Sequence, residues 1–152
     1  MAAVLTPGEI EVYLHRHIPI SAAMGVHVCA CDAAGATLSA PLAPNLNHRA
    51  TVFGGSASAV AILAAWTWLH FVLRTAGQPS RLVIQKNGMD YLAPIAGDFE
   101  ARCAAPAAEV LEKFLRTLSR HAKARLTLGA TLSCDSARVA TFTGDYVAVK
   151  LG

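Results

Sequence analysis

A chain of 152 residues is long enough for one domain with a sizeable core and too short for two comfortable ones. Its 54% hydrophobic and 15% charged residues, with a mean hydropathy of +0.42, place it far from disordered segments and call for a buried helix or an extensive interface. A net charge of +3 and a pI near 8.8, with Lys and Arg spread along the chain, give nucleic-acid binding little support and suit a small anionic ligand no better than no charged ligand at all.

Thr6-Pro7-Gly8-Glu9 is a helix start: threonine caps, proline takes the first helical position, and glutamate closes a capping box. Ile10, Tyr13, Leu14 and His17 follow at helical spacing, predicting a short amphipathic helix that Ile18-Pro19-Ile20 stops. His15 and His17 read as surface or packing residues rather than ligands. From Met24 to Asp32, Val26 and Val28 alternate with His27, Cys29 and Cys31 as in a strand. Asp32-Ala33-Ala34-Gly35 supplies a turn, and Ala36 to Leu42 completes a hairpin, ended by Pro41 and Pro44.

Between Ala50 and Leu73 there is no Asp, Glu, Lys or Arg, and apolar residues fall on every face of a 3.6-residue period. That is the pattern of a helix buried all round, predicted from Gly54 to Ala76, with Gly77 ending it and Pro79 just beyond. The run has the length of a membrane span, but Gly54, Gly55, Ser56, Ser58 and His70 dilute it and strand patterns flank it, so a core helix and no membrane are expected. Its alanines, among them Ala57, Ala61 and Ala64, let a sheet approach closely, while Trp66, Trp68, Leu69 and Phe71 fill the far end.

Arg81 to Ile95 is a long β-prone segment, and Ala96-Gly97-Asp98 turns it into a strand with Phe99, Ala101 and Cys103 on one face. Pro106 opens an amphipathic helix from Ala107 to His121, with Val110, Leu111, Phe114, Leu115 and Leu118 in one stripe. Ala124 to Cys134 is the cleanest period-two run. Arg138 to Leu151 makes the last strand, with a bulge expected at Thr143-Gly144-Asp145. This order predicts an α+β domain over residues 1–152, an antiparallel sheet curled around one helix. Cys29, Cys31, Cys103 and Cys134 lack zinc-site spacing and disulfide density, and read as reduced core residues. With Glu9 and Glu11 in the first turns and no secretory signal pattern, a cytoplasmic location is expected.

Ala40-Pro41-Leu42, Asn45, Asn47, Thr51-Val52-Phe53-Gly54-Gly55-Ser56, Asp90-Tyr91-Leu92-Ala93-Pro94 and Gly144-Asp145-Tyr146-Val147 resemble the thioesterase domain found at the C-terminus of YiiD-type proteins. The resemblance runs through most of the chain and includes the extra amphipathic helix before the fifth strand. It implies a hotdog fold, a homodimer or homotetramer, and an acyl thioester of coenzyme A or acyl carrier protein as substrate. It calls for no cofactor beyond the coenzyme A of the substrate.

Thioester hydrolysis needs fixed N–H donors for the developing oxyanion and a positioned water. Gly54 and Gly55, at a helix start, can supply such donors; the alternative is that they are glycines because the sheet passes too close for a β-carbon. Related hotdog enzymes usually carry an acidic residue two turns into this helix, where Val60, Ala61, Ile62 and Leu63 stand here. His48 and Asn47 are left to activate or hold the water, His48 with the alternative of a plain loop role. Thr51 and Ser56 could orient the water or cap the helix. Asp90 reads as a pairing residue that could reach a neighbouring subunit. Arg49, Arg81 and Lys86, and less specifically Arg74 and Arg102, are the candidate contacts for coenzyme A phosphates. Two rival functions stay open: a non-catalytic acyl-CoA or acyl carrier protein binding module, and a dehydratase or hydratase.

Overall fold

The computed structural model describes residues 4–152. Thr6 caps α1 (Pro7–His17) reciprocally, its hydroxyl accepting from the Glu9 amide at 3.2 Å while the Glu9 carboxylate accepts from the Thr6 amide at 3.4 Å. α1 stops at Ile18, as expected, and Pro19 starts a new element. It occupies the first position of a second short helix, α2 (Pro19–Ala23), where no amide donor is needed.

β1 (His27–Asp32) and β2 (Gly35–Ala40) form the expected hairpin, with β1 starting three residues later than predicted. A bulge between Val28 and Ala30 leaves Cys29 unpaired and re-phases the strand, so that Val28 and Cys31 face the core. The cysteine reading is corrected accordingly: Cys31 and Cys103 are buried, Cys134 is half-buried, and Cys29 is exposed. Burial pushes the Cys31 and Cys103 thiols up to about 12, which keeps both inert at neutral pH.

α3 (Gly54–Thr75) lies across the sheet and packs against all six strands. Gly77, at φ +69°, closes its C-terminus: the Gly77 amide donates to Arg74 and the Gln78 amide to Leu73, the double bond of a left-handed cap. Enclosure is not complete on every side. Gly55, Ala59, Ile62 and Trp66, one helical stripe, keep some exposure, while Ala57, Val60, Ala61 and nearly everything from Leu63 to Leu73 is buried. It is the one helix among the described residues long and apolar enough to cross a membrane, and 72% of its apolar window is buried inside the protein. Two fully buried aromatics fix its position: Trp68 donates to the Asp32 carbonyl at 3.2 Å, and Tyr146 donates to the Ile62 carbonyl at 2.7 Å.

The remaining strands are β3 (Ser80–Tyr91), β4 (Phe99–Ala104), β5 (Lys123–Cys134) and β6 (Ala137–Lys150), with α4 (Ala108–His121) ahead of β5. The sheet order is β1-β2-β4-β5-β6-β3, antiparallel throughout, which leaves β1 and β3 as edges. β3 ends four residues short of the predicted Ile95, the amides of Leu92 and Ala93 both turning to the Val139 carbonyl ahead of Pro94. β6 runs without interruption through Thr143-Gly144-Asp145, and the irregularity sits opposite, between Ile84 and Lys86. Gly144 answers to packing instead: a β-carbon there would stand 2.6 Å from the Phe142 ring.

Candidate active site

The chain enters α3 through a loop that Asn47 closes on itself. Asn47 Oδ1 accepts from the Arg49 amide at 2.8 Å and the Thr51 amide at 3.1 Å, and Nδ2 donates to Thr51 Oγ1 at 2.7 Å and to the Val52 carbonyl at 3.4 Å. Both ends of the side chain are spent on the loop. Two longer-range bonds dock it, from the Val52 amide to Ile95 and from the Phe53 amide to Asn45.

Phe53 is the residue before the helix, and no side chain caps it. The Ser56 and Ala57 amides reach back to the Phe53 carbonyl at 2.9 and 3.1 Å. Those of Gly54 and Gly55 have no acceptor among the described residues, at the positive end of the helix dipole. In front lies a cleft of about 400 Å³ bordered by Asn47, Thr51, Val52 and Gly54 on one side and by Tyr91 to Ile95 on the other. Tyr91 and Leu92 on its border, and Leu46 and Phe53 on the loop that leads to it, are each more than half exposed.

Of the residues singled out from sequence, Asn47, Thr51 and Gly54 converge on this cleft. Gly55 follows Gly54 in the chain but does not border the cleft; it lies beneath the Phe53 ring, with which a β-carbon would collide. Neither Thr51 nor Ser56 caps the helix: the Thr51 hydroxyl is committed to Asn47, and the cap position belongs to Phe53. His48 is exposed on the loop and does not border the cleft; Arg49 is exposed beside it. Arg81 and Lys86 lie on β3, about 33 and 16 Å along the strand from Tyr91, so one chain does not bring them to Gly54. Lys86 borders a separate cleft with Asp145. Arg74 is at the opposite end of α3, Arg102 donates to Thr37 across β4 and β2, and Asp90 is exposed in register with Thr141.

Tyr91 was not anticipated as a site residue. Its hydroxyl donates to the Gly54 carbonyl at 2.7 Å and its ring borders the cleft. The available signal was its place in the Asp90-Tyr91-Leu92-Ala93-Pro94 string together with its strand parity, since its register partner Ala140 is buried. The two hydroxyls at the cleft have opposite polarity. Thr51 already accepts from Asn47 and keeps its hydrogen to donate; Tyr91 has given its hydrogen to Gly54 and is left to accept.

A long helix held in an antiparallel sheet of this order defines a protein of the hotdog fold class. A family profile described as "Putative thioesterase (yiiD_Cterm)" matches residues 8–150, and the chain belongs to that family. A crystal structure from Chlorobaculum tepidum is similar over 97% of this chain and 99% of that one, at 30% identity and a TM-score of 0.91. One from Shewanella oneidensis, described as a "putative thioesterase", is similar over 94% of this chain and 96% of that one at 28% identity and a TM-score of 0.85. A Pseudomonas aeruginosa protein described as "Probable Thioesterase" shares the fold at 18% identity and a TM-score of 0.80, over 99% of this chain and all of that one.

Proposed function

We propose that this protein hydrolyses an acyl thioester of coenzyme A or acyl carrier protein, by attack of water on a carbonyl whose oxygen rests against the first amides of α3. The observation that supports this most is the unpartnered Gly54 amide opening on the 400 Å³ cleft. Thr51 offers its hydroxyl hydrogen to the same oxygen, held in that orientation by Asn47. His48 stands on the loop outside the border of the cleft, so it would serve as base for the water only after the loop turns it inward. Arg49 serves the phosphates of coenzyme A. Arg81 and Lys86 could join it only from a second copy whose edge strand β3 runs antiparallel beside this one, in a cytoplasmic homodimer or tetramer joined through its sheets.

The test is release of coenzyme A from a panel of acyl-CoAs by the native protein and by Gly54→Pro. Proline suits the first helical position, and Phe53, at φ −58° and ψ 131°, already has the backbone that precedes a proline. The substitution removes one donor and leaves the helix. We expect kcat to fall about 10²–10³-fold with the melting temperature nearly unchanged. Background turnover by the native protein on every chain length rejects the enzyme.

A second reading has one observation in its favour: no carboxylate or imidazole borders the cleft. A non-catalytic acyl-CoA or acyl carrier protein binding module would bind the same ligands without turnover. A dehydratase would hydrate an enoyl-CoA reversibly, and the same lack of a carboxylate and an imidazole counts against it.

A further inference from the structure

We infer that Tyr91 is a positioning residue that locks the Gly54–Gly55 peptide, and with it the Gly55 N–H that stands next to the Gly54 donor at the start of α3; the functional half of this inference rests on the oxyanion reading above, in which both first amides serve the substrate carbonyl. The Tyr91 hydroxyl spans 37 residues of sequence to donate to the Gly54 oxygen at 2.7 Å. That oxygen and the Gly55 N–H belong to one planar trans peptide, on which they point in opposite directions. Holding the oxygen therefore sets the direction of the N–H.

This bond adds to the one that the Gly54 carbonyl takes from the Ser58 amide within α3, at the turn where further support counts most. Glycine has the widest backbone freedom of any residue, and here two follow one another. No side chain caps them, and the Phe53 ring that lies over Gly55 makes no hydrogen bond to them. Tyr91 is anchored where the turn is not. It closes β3 in register with Ala140 of β6, so the phenol transmits the rigidity of the sheet to the first peptide of the helix. The fit around it is close: a β-carbon on Gly54 would stand 3.4 Å from the Tyr91 oxygen.

Tyr91→Phe removes the hydroxyl and keeps the ring. On the acyl-CoA that the native protein turns over fastest, we expect kcat to fall about tenfold, less than outright loss of a donor, with KM within about twofold. The ¹⁵N order parameter of Gly55 should drop from about 0.85 toward 0.6 while the melting temperature stays nearly constant. A mere packing role would lower stability and leave the order parameter and the kcat-against-KM split unmoved. An unchanged order parameter, or native kcat in the variant, overturns the inference. The two ideas can fail separately. A lowered order parameter in a protein that hydrolyses no thioester upholds the lock and rejects the enzyme; a kcat lost in Gly54→Pro and kept in Tyr91→Phe upholds the enzyme and rejects the lock.

Discussion

The two ends of α3 are built to opposite specifications. The C-terminal end has a double-bonded glycine cap, a cation in its last turn that suits the dipole, and the fully buried Trp68. It is also clasped by α1 through an aromatic stack in which the His70 ring lies 4.8 Å from Trp66 and 4.6 Å from Tyr13, with Tyr13 in turn 4.1 Å from His17. The N-terminal end has two glycines, no side-chain cap, and amides that face a cleft. One end is capped and packed, the Thr67 hydroxyl being its one buried side-chain group among the described residues to lack a partner, and the other leaves backbone donors free. The strength of the closed end is what allows the open end to stay open, because one buried anchor can hold a helix whose first turn contributes little.

If that division holds, damage at the closed end should show as lost stability. Trp68→Ala is expected to have the largest effect, about 3–5 kcal/mol, from the emptied volume together with the orphaned Asp32 carbonyl. Urea denaturation measures it, and a loss under about 1 kcal/mol would mean that the core does not depend on this half of the helix. The next effect is a pH dependence. Burial, aided by the neighbouring charges of Arg74 and His17, lowers His70 to about 4 from its ordinary 6.5. The fold thus favours the neutral imidazole. Its contribution is fully present above pH 6.5 and is lost as the pH falls toward 4, on the order of 3 kcal/mol in all. Urea midpoints taken between pH 7 and pH 4 should fall more steeply for the native protein than for His70→Phe; parallel curves would remove His70 as the cause.

The same contrast decides what could be read from the chain beforehand. The closed end was legible because burial writes itself as composition: an uncharged run, alanines toward the sheet, and Gly77 then Pro79 to stop it. The start of α1 was legible because a capping box is a local chemical pattern. The phase of Cys31 was hidden because a bulge shifts a strand without any residue that announces it, Cys29 was read as core from its residue type although it alternates with buried Val28, and Gly144 was misread because a glycine required by the Phe142 ring looks the same in sequence as one required by a bulge. At the open end the pair of glycines pointed to the right turn. The roles of its neighbours did not follow, since hydrogen bonds are spent pairwise in space. Asn47 looked free to hold a water until Thr51, Arg49 and Val52 claimed both ends of its amide, and Tyr91 lies 37 residues away from the carbonyl it holds.

The smallest effect on stability, and the finest test of the open end, is at Asn47. Asn47→Ala should cost about 1–2 kcal/mol, since the bonds it makes are only part-buried. Asn47→Asp is more telling. A carboxylate still accepts from the Arg49 and Thr51 amides, so the loop keeps its shape, but it can no longer donate to Thr51. The threonine would then turn its own hydrogen to the carboxylate and present lone pairs to the cleft, where the reaction needs a donor. Asn47→Asp should therefore lower kcat by about as much as Thr51→Val, and the double variant should lose no more than either alone, because both remove the same hydrogen. Additive losses in that cycle would show that Asn47 acts on the substrate directly and that the polarity of Thr51 is incidental.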